Sequence, residues 1–321
     1  MTHHSRHKPH AHGHHAAFDD EQFAAILEAE GEIAAGLADQ ALDRCWELLA
    51  AAGTSEVGRV VDLGCGPGVA TAQIAQRFES ARVVGVDQSA VMLEHSRDRA
   101  VRCGVSDRVE LRALDLDSDL ALLGSFDIVW CSMTLHHAVD EAAALRRFAA
   151  LIGPGGVLCL LERAAPMMVR PTSDLGRPGI WDRVGSGHEH WQEKSGASPP
   201  GLAQGTRYAE LIEAAGLTVL DAQFISDTVQ VASAQARLLL DRHFATILRD
   251  VGASLIPSDR DALSEAVKSA TATQWGQVMI TSGRSLFIAS KQRAQAFAAL
   301  RGATLGGVSH TAGREIAEGA F

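Results

Sequence analysis

The chain has 321 residues, 46% of them hydrophobic and 21% charged, with a formal net charge of −10. Such a chain can bury a full core as a soluble globular protein, and its acidic balance argues against nucleic acid as a general partner, because phosphate binding needs clustered Lys and Arg. The five cysteines (Cys45, Cys65, Cys103, Cys131 and Cys159) are widely spaced with no C-x-x-C pair. That predicts reduced thiols in a cytoplasm rather than a disulfide framework. No apolar run approaches the roughly 20 residues a membrane helix requires.

In chain order, residues 1–17 are low-complexity and histidine-rich, without the basic-then-apolar pattern of a signal peptide. They read as a disordered tail, since such a tract cannot build a core. Residues 18–52 carry apolar side chains at helical spacing (Phe23, Ile26, Leu27, Ile33, Leu37, Leu42, Trp46, Leu49) with acids opposite. This predicts amphipathic helices, with Gly31 and Gly36 as break points. A domain spanning 55–292 follows. Strands are predicted at about 58–63, 81–86, 108–114, 126–131 and 157–162, alternating with helices at 68–78, 89–103 and 139–152. Such alternation gives right-handed crossovers and a parallel sheet covered on both faces. Residues 163–204 break the rhythm with prolines and glycines and no long periodic segment, so a binding loop is expected there. A helix at 206–216 and a strand at 217–225 come next. A second insertion, within 229–280, has two helical pieces parted near 252–257. A last strand is expected at 284–290, and residues 303–321 read as a flexible tail.

The stretch from Gly58 to Asp87 organises the rest. Two β-branched runs bracket the loop Asp62-Leu63-Gly64-Cys65-Gly66-Pro67-Gly68 and a helix. Glycines let the backbone turn tightly and leave no side chain between loop and ligand. The helix N-terminus beyond offers unpaired N–H groups to an anionic group. Asp87 ends the second strand, where a carboxylate can accept from both hydroxyls of a ribose. D-L-G-C-G-P-G after an apolar strand resembles motif I of the class I S-adenosylmethionine (SAM)-dependent methyltransferases, of the small-molecule type. The resemblance covers residues 55–165 well, and 205–228 and 284–291 as architecture. It implies a Rossmann-like α/β fold: a seven-stranded, mostly parallel sheet with an antiparallel last strand, plus helical N-terminal and inserted cap elements.

The resemblance also implies roles. Asp62, Gly64, Cys65, Gly66 and Gly68 would hold the aminoacyl end of SAM, and Asp87 its ribose. Gln88 and Met92 would lie beside the ribose and adenine, although a methionine at helical spacing also serves as core. Asp115, with Leu116 against the ring, would meet the adenine amino group; Asp117 and Asp119 compete for that place. Cys131 ends the fourth strand at the same edge. Cys131-Ser132-Met133-Thr134-Leu135-His136-His137 resembles the histidine version of motif IV, which faces the transferring methyl group. A neutral imidazole there could take a proton from a nucleophile, so His136 and His137 are the candidate catalytic residues; a capping or packing role is the other reading. Glu162 ends the fifth strand, and Trp181, His188 and Trp191 sit in the long insertion after it; these four are candidate substrate contacts. The His188-Glu189-His190 run lacks a completing ligand cluster, so no metal is expected.

The function expected is methyl transfer from SAM, leaving S-adenosylhomocysteine, to an O, N or C nucleophile of a small metabolite. The absence of a D/N-P-P-Y motif lowers amino and base methylation, and secondary metabolism is the expected setting. Catalysis would come mainly from in-line positioning with water excluded by a cap formed from the three additions. The protein would act as a monomer or homodimer, without nucleic acid or membrane. Two rivals are a SAM-fold binding protein without catalysis and a nicotinamide-dependent oxidoreductase. The latter prefers G-x-G-x-x-G, and position 69 is valine.

Overall fold

A computed structural model of the chain describes residues 20–195, 202–232, 236–268, 277–291 and 314–315. Its strands are β1 (Arg59–Leu63), β2 (Arg82–Asp87), β3 (Val109–Ala113), β4 (Phe126–Ser132), β5 (Ile152–Pro171), β6 (Thr218–Ala232), β7 (Gln277–Ser290) and β8 (Arg314–Glu315). They form one sheet in the order β3-β2-β1-β4-β5-β7-β6-β8. β1 to β5 pair in parallel, and β7 inserts antiparallel between β5 and β6. The order reverses between β1 and β4, which opens a crevice at the carboxyl ends of those strands. The sheet has one strand more than expected. β8 is two residues long, pairs in parallel with Val229 and Gln230, and falls in the segment read as a tail. The rest of that segment, and residues 1–17, lie outside the described residues.

The helices are α1 (Asp20–Ile33), α2 (Ala35–Ala51), α3 (Val69–Arg77), α4 (Ala90–Arg102), α5 (Glu141–Leu151), α6 (Ile180–Ser195), α7 (Leu202–Ala214), α8 (Arg237–Val251) and α9 (Pro257–Lys268). The β-branched runs become strands because both faces of the sheet are covered. On one face Leu42, Cys45 and Leu49 of α2 and Ile74 of α3 pack on Val60, Ile128 and Trp130. On the other, Leu145 and Phe148 of α5 and Ile212 of α7 pack on Val61, Val129 and Leu158.

Three features differ from expectation. The N-terminal helix breaks at Ala34, not at Gly31 or Gly36. Those glycines serve close approach: a Cβ at Gly31 would meet the Val69 side chain at 2.9 Å, and one at Gly36 would overlap Asp227. Second, β5, β6 and β7 run well past the expected ends, and their ladder continues from Arg163 and Arg284 out to Pro171, Ala232 and Gln277. Third, the segment 163–204 is not one loop, because α6 occupies 16 residues of it.

The strand extensions carry a third apolar cluster. Val169, Val229, Val231, Val278 and Ile280 form its floor, and Ile26 and Ile33 of α1, Ile180, Trp181 and Val184 of α6, and Leu239, Leu240 and Phe244 of α8 cover it. α1 is fixed at both sides by charge. Glu28 accepts from Arg99 of α4 at 2.5 Å, Glu32 pairs with the same arginine, and Glu30 pairs with Arg242 of α8 at 2.8 Å.

Candidate active site

The loop after β1 turns on Gly64, Gly66 and Gly68, with φ of +73°, +52° and +82°. A side chain at Gly64 would overlap Thr134, and one at Gly68 would overlap Ser96 of α4. A Cβ at Gly66 would meet nothing within 4 Å, so here the glycine leaves backbone open at the surface of the crevice. The N–H groups of Gly64 and Cys65 donate to the Val86 carbonyl at 2.8 and 2.9 Å, tying the loop to the end of β2.

Asp87 completes the tie. Its Oδ2 accepts from the Gly66 N–H at 3.0 Å and its Oδ1 from the Ser89 N–H at 2.9 Å. Burial raises its pKa, and those N–H groups pull the other way. Asp62 is 2% exposed and accepts from the Thr71 hydroxyl at 2.6 Å. Burial raises it to about 7; Thr71 opposes the shift and the Asp87 charge adds to it. A half-ionised acid beside open backbone and a helix N-terminus suits a ligand end that carries both a cation and a carboxylate.

The other expected donor-site residues divide. Gln88 is exposed at the edge. Met92 is buried within α4, 5% exposed. Asp115 is exposed and accepts from the Asp117 N–H at 2.8 Å, and Leu116 packs on the sheet. Asp117 is committed elsewhere, to Arg147 at 2.5 Å and to the Val139 N–H at 3.1 Å. The thiols of Cys65 and Cys131 are buried, and burial pushes both well up, so they are neutral packing groups. Cys131 lies wholly inside the α5-side cluster, which leaves only its main chain to line the edge.

Opposite the loop, Leu135–His137 forms a single helical turn after β4. Met133, just before it, holds φ at +55°, the left-handed region that non-glycine residues rarely adopt. Its N–H donates to the Leu161 carbonyl at 2.8 Å. Thr134 links the turn to the loop, its hydroxyl lying 3.3 Å from the Gly64 carbonyl and 2.9 Å from that of Ser132.

Glu162 was expected to face the substrate, but its side chain is 1% exposed and lies beneath this turn. Oε1 accepts from the Leu135 N–H at 2.9 Å, and Oε2 lies 2.8 Å from His136 Nδ1. A carboxylate only accepts, so Nδ1 carries the proton and Nε2 keeps its lone pair. The His137 ring lies 4.1 Å from that of His136, centroid to centroid.

Trp181 is a packing residue in the third cluster, stacked on Phe244 at 5.6 Å. His188 and Trp191 fall on α6, with side chains outside the described residues. Among the described residues no cluster of His, Cys, Asp and Glu could hold a metal ion. Sequence reading missed Thr71, Ser96 and Thr134, polar residues that meet the site through neighbours distant in the chain. It also missed Tyr208 of α7, a buried phenol that burial and the charges of Glu162 and Glu141 keep protonated.

Residues 60–156 match the methyltransferase domain family. A trans-aconitate 2-methyltransferase from Deinococcus radiodurans is 33% identical over 190 residues, which is 57% of this chain and 66% of that protein. Another, from Variovorax paradoxus, is 38% identical over 118 residues, 36% of this chain and 42% of the relative. The chain therefore spans only part of the length of the curated relatives it matches. A solved SAM-dependent methyltransferase from Thiobacillus denitrificans, in complex with S-adenosylhomocysteine, aligns with a TM-score of 0.41 and 17% identity, over 78% of this chain and 91% of that one. The family match spans β1 through the turn into β5, the same stretch that holds the glycine loop, Asp87 and the histidine turn at one sheet edge. On that ground residues 60–156 form a methyltransferase domain of the class I SAM-dependent kind.

Proposed function

We propose that this protein transfers a methyl group from SAM to an O, N or C nucleophile of a small metabolite, in secondary metabolism. One observation carries the reading: the glycine loop and the histidine turn are in direct contact through Thr134 and Gly64. Loop and turn thus form one surface, with Asp62 and Asp87 on one side and His136 on the other. SAM, when bound, supplies an electrophilic methyl group on a sulfonium. Asp87 and the open backbone at Gly66 would hold its ribose and aminoacyl parts, Asp62 would face the cationic end, and Asp115 with Leu116 would receive the adenine.

The chain's own work is then positioning. Holding the acceptor in line, with water excluded by α1, α6 and α8, supplies most of the acceleration. His136 Nε2, oriented by Glu162, takes a proton from a hydroxyl or amine acceptor. The names of the curated relatives support a small acceptor. The five free cysteines and the acidic balance support cytoplasmic work, as monomer or homodimer, without nucleic acid. Among the described residues no helix is long and apolar enough to cross a membrane.

The test is a methyl-transfer assay against trans-aconitate and against an extract of the source cells, read by mass for products carrying an added methyl group. Failure of SAM to bind at millimolar concentration would overturn the reading. Asp87→Ala is expected to weaken SAM binding by about 1–3 kcal/mol through loss of charge-assisted hydrogen bonds. Calorimetry checks this, and an unchanged affinity removes Asp87 from the site.

A further inference from the structure

Arg284 is out of keeping with its strand. It is 8% exposed, on β7 between the nucleotide-fold core and the third cluster. A buried arginine ordinarily has a carboxylate partner, because an unpaired charge is costly to bury. Here Nη1 donates to the Gly283 carbonyl at 3.0 Å, and among the described residues no carboxylate pairs with the guanidinium. None of its other N–H groups is both sealed and unpartnered, so they keep contact with solvent. Burial and the neighbouring Arg163 charge hold its pKa down to about 10, so it remains a cation at neutral pH.

The acids nearby are committed. Glu30 is paired with Arg242. Both oxygens of Glu162 are taken by Leu135 and His136. Asp227, opposite Ser282 in the β6–β7 ladder, accepts from the Thr228 N–H at 2.9 Å. Ser282 lies two residues from Arg284, hence on the same strand face. Its hydroxyl is buried with no hydrogen-bond partner. A cation without a carboxylate partner and a hydroxyl without a hydrogen-bond partner thus share one face.

The position also fits the site. The β5–β7 register sets Arg163 opposite Arg284 and Glu162 opposite Ser285. Arg284 is therefore one ladder step along the sheet edge from the carboxylate that orients His136, with its side chain on the opposite face, the one α1 covers. Above it runs α1, which meets the head of α3 through Gly31 and Val69 and whose Glu30 charge reaches Arg284. The same helix thus covers the donor loop and the arginine. A planar guanidinium matches a carboxylate with two parallel N–H donors. Resting on the methyltransferase reading above, we infer that the methyl acceptor is a carboxylic acid and that Arg284 binds one of its carboxylates.

The test is calorimetry on the full chain with S-adenosylhomocysteine bound, titrating trans-aconitate, succinate, benzoate, inorganic phosphate and the trimethyl ester of trans-aconitate. At least one carboxylate is expected to bind, and the ester not. Arg284→Gln should weaken that carboxylate about 10–100-fold and Arg284→Lys less, with S-adenosylhomocysteine affinity unchanged. Equal binding of acid and ester, tighter binding of phosphate, or refusal of all three carboxylates overturns the proposal and leaves methyl transfer standing. The contrast between acid and ester is made on the unmodified protein, so it decides even where a variant fails to fold. Failure of S-adenosylhomocysteine itself to bind overturns the underlying reading instead.

Discussion

Glu162→Gln is expected to leave the protein folded and its SAM affinity unchanged while lowering turnover by about 10²–10⁴-fold. The glutamine keeps the shape of the glutamate, and its carbonyl can still accept from the Leu135 N–H that Oε1 now holds. Its NH₂ group takes the place of Oε2 at His136 Nδ1. A donor there forces Nδ1 to accept, which moves the ring proton to Nε2. The nitrogen facing the acceptor would then hold a proton and have no lone pair. His136→Ala should cost the same, and the double variant no more, because the two residues act as one unit. Steady-state kinetics with SAM saturating checks this, and a Glu162→Gln protein with ordinary kcat would remove His136 as the base. Glu162→Ala differs in kind: it strands a buried N–H and opens a cavity, costing about 1–3 kcal/mol of stability for the unpaired donor alone.

SAM affinity is expected to rise about tenfold per pH unit up to pH 7 and to level off above it. The group responsible is Asp62, which burial raises to about 7 in the free protein. Thr71 from α3 and Asp87 from β2 face it, and its charge is felt at the thiols of Cys65 and Cys131. A cationic ligand end favours the carboxylate, so binding below pH 7 must expel a proton. The sign for stability is the reverse. The folded pKa lies above the unfolded value of 3.8, so the folded state binds the extra proton between about pH 4 and 7. Asp62 therefore lowers the stability of the free protein as pH rises through that window. Asp62→Asn should flatten both dependences, with weaker SAM binding at pH 8. Calorimetry at several pH values reads the first and thermal melts the second. A variant that keeps the wild-type pH slope would show that another group carries it.

The nucleotide-fold half was legible because its signals are local. Val60-Val61, Val83-Val84 and Ile128-Val129 are β-branched or apolar runs that become buried parallel strands. The glycines of the loop and the acid at Asp87 mark a turn whose conformation few other residues tolerate. The outer half was hidden. In β6, Val229 and Val231 alternate with polar residues, and in β7 Val278 and Ile280 flank Met279, over spans too short to outweigh the adjacent helical patterns. In α6, Gly185 and Gly187 weaken the helical signature, and a Cβ at Gly187 would lie 3.7 Å from the Val251 side chain. Glu162 was read as a substrate contact because its place on the strand was visible and its partners, 26 and 27 residues back, were not. Arg284 stood at the head of an apolar run with nothing in the local sequence to say that it would be covered.

The unbroken pairing of β6 with β7 from one core into the next has a mechanical consequence. Hinged closure needs a few residues that can absorb large φ/ψ changes, and the regular β6–β7 ladder supplies none at the junction. The strand wall beside Arg284 and Glu162 is a fixed surface rather than a lid. Entry and exit then fall to the elements that lie on that wall and are not woven into it: α1, held by its charged pairs to α4 and α8, and α6, packed on it through Trp181 and Val184. Acceptor shape would be read by a rigid back plate, and turnover gated by a detachable front.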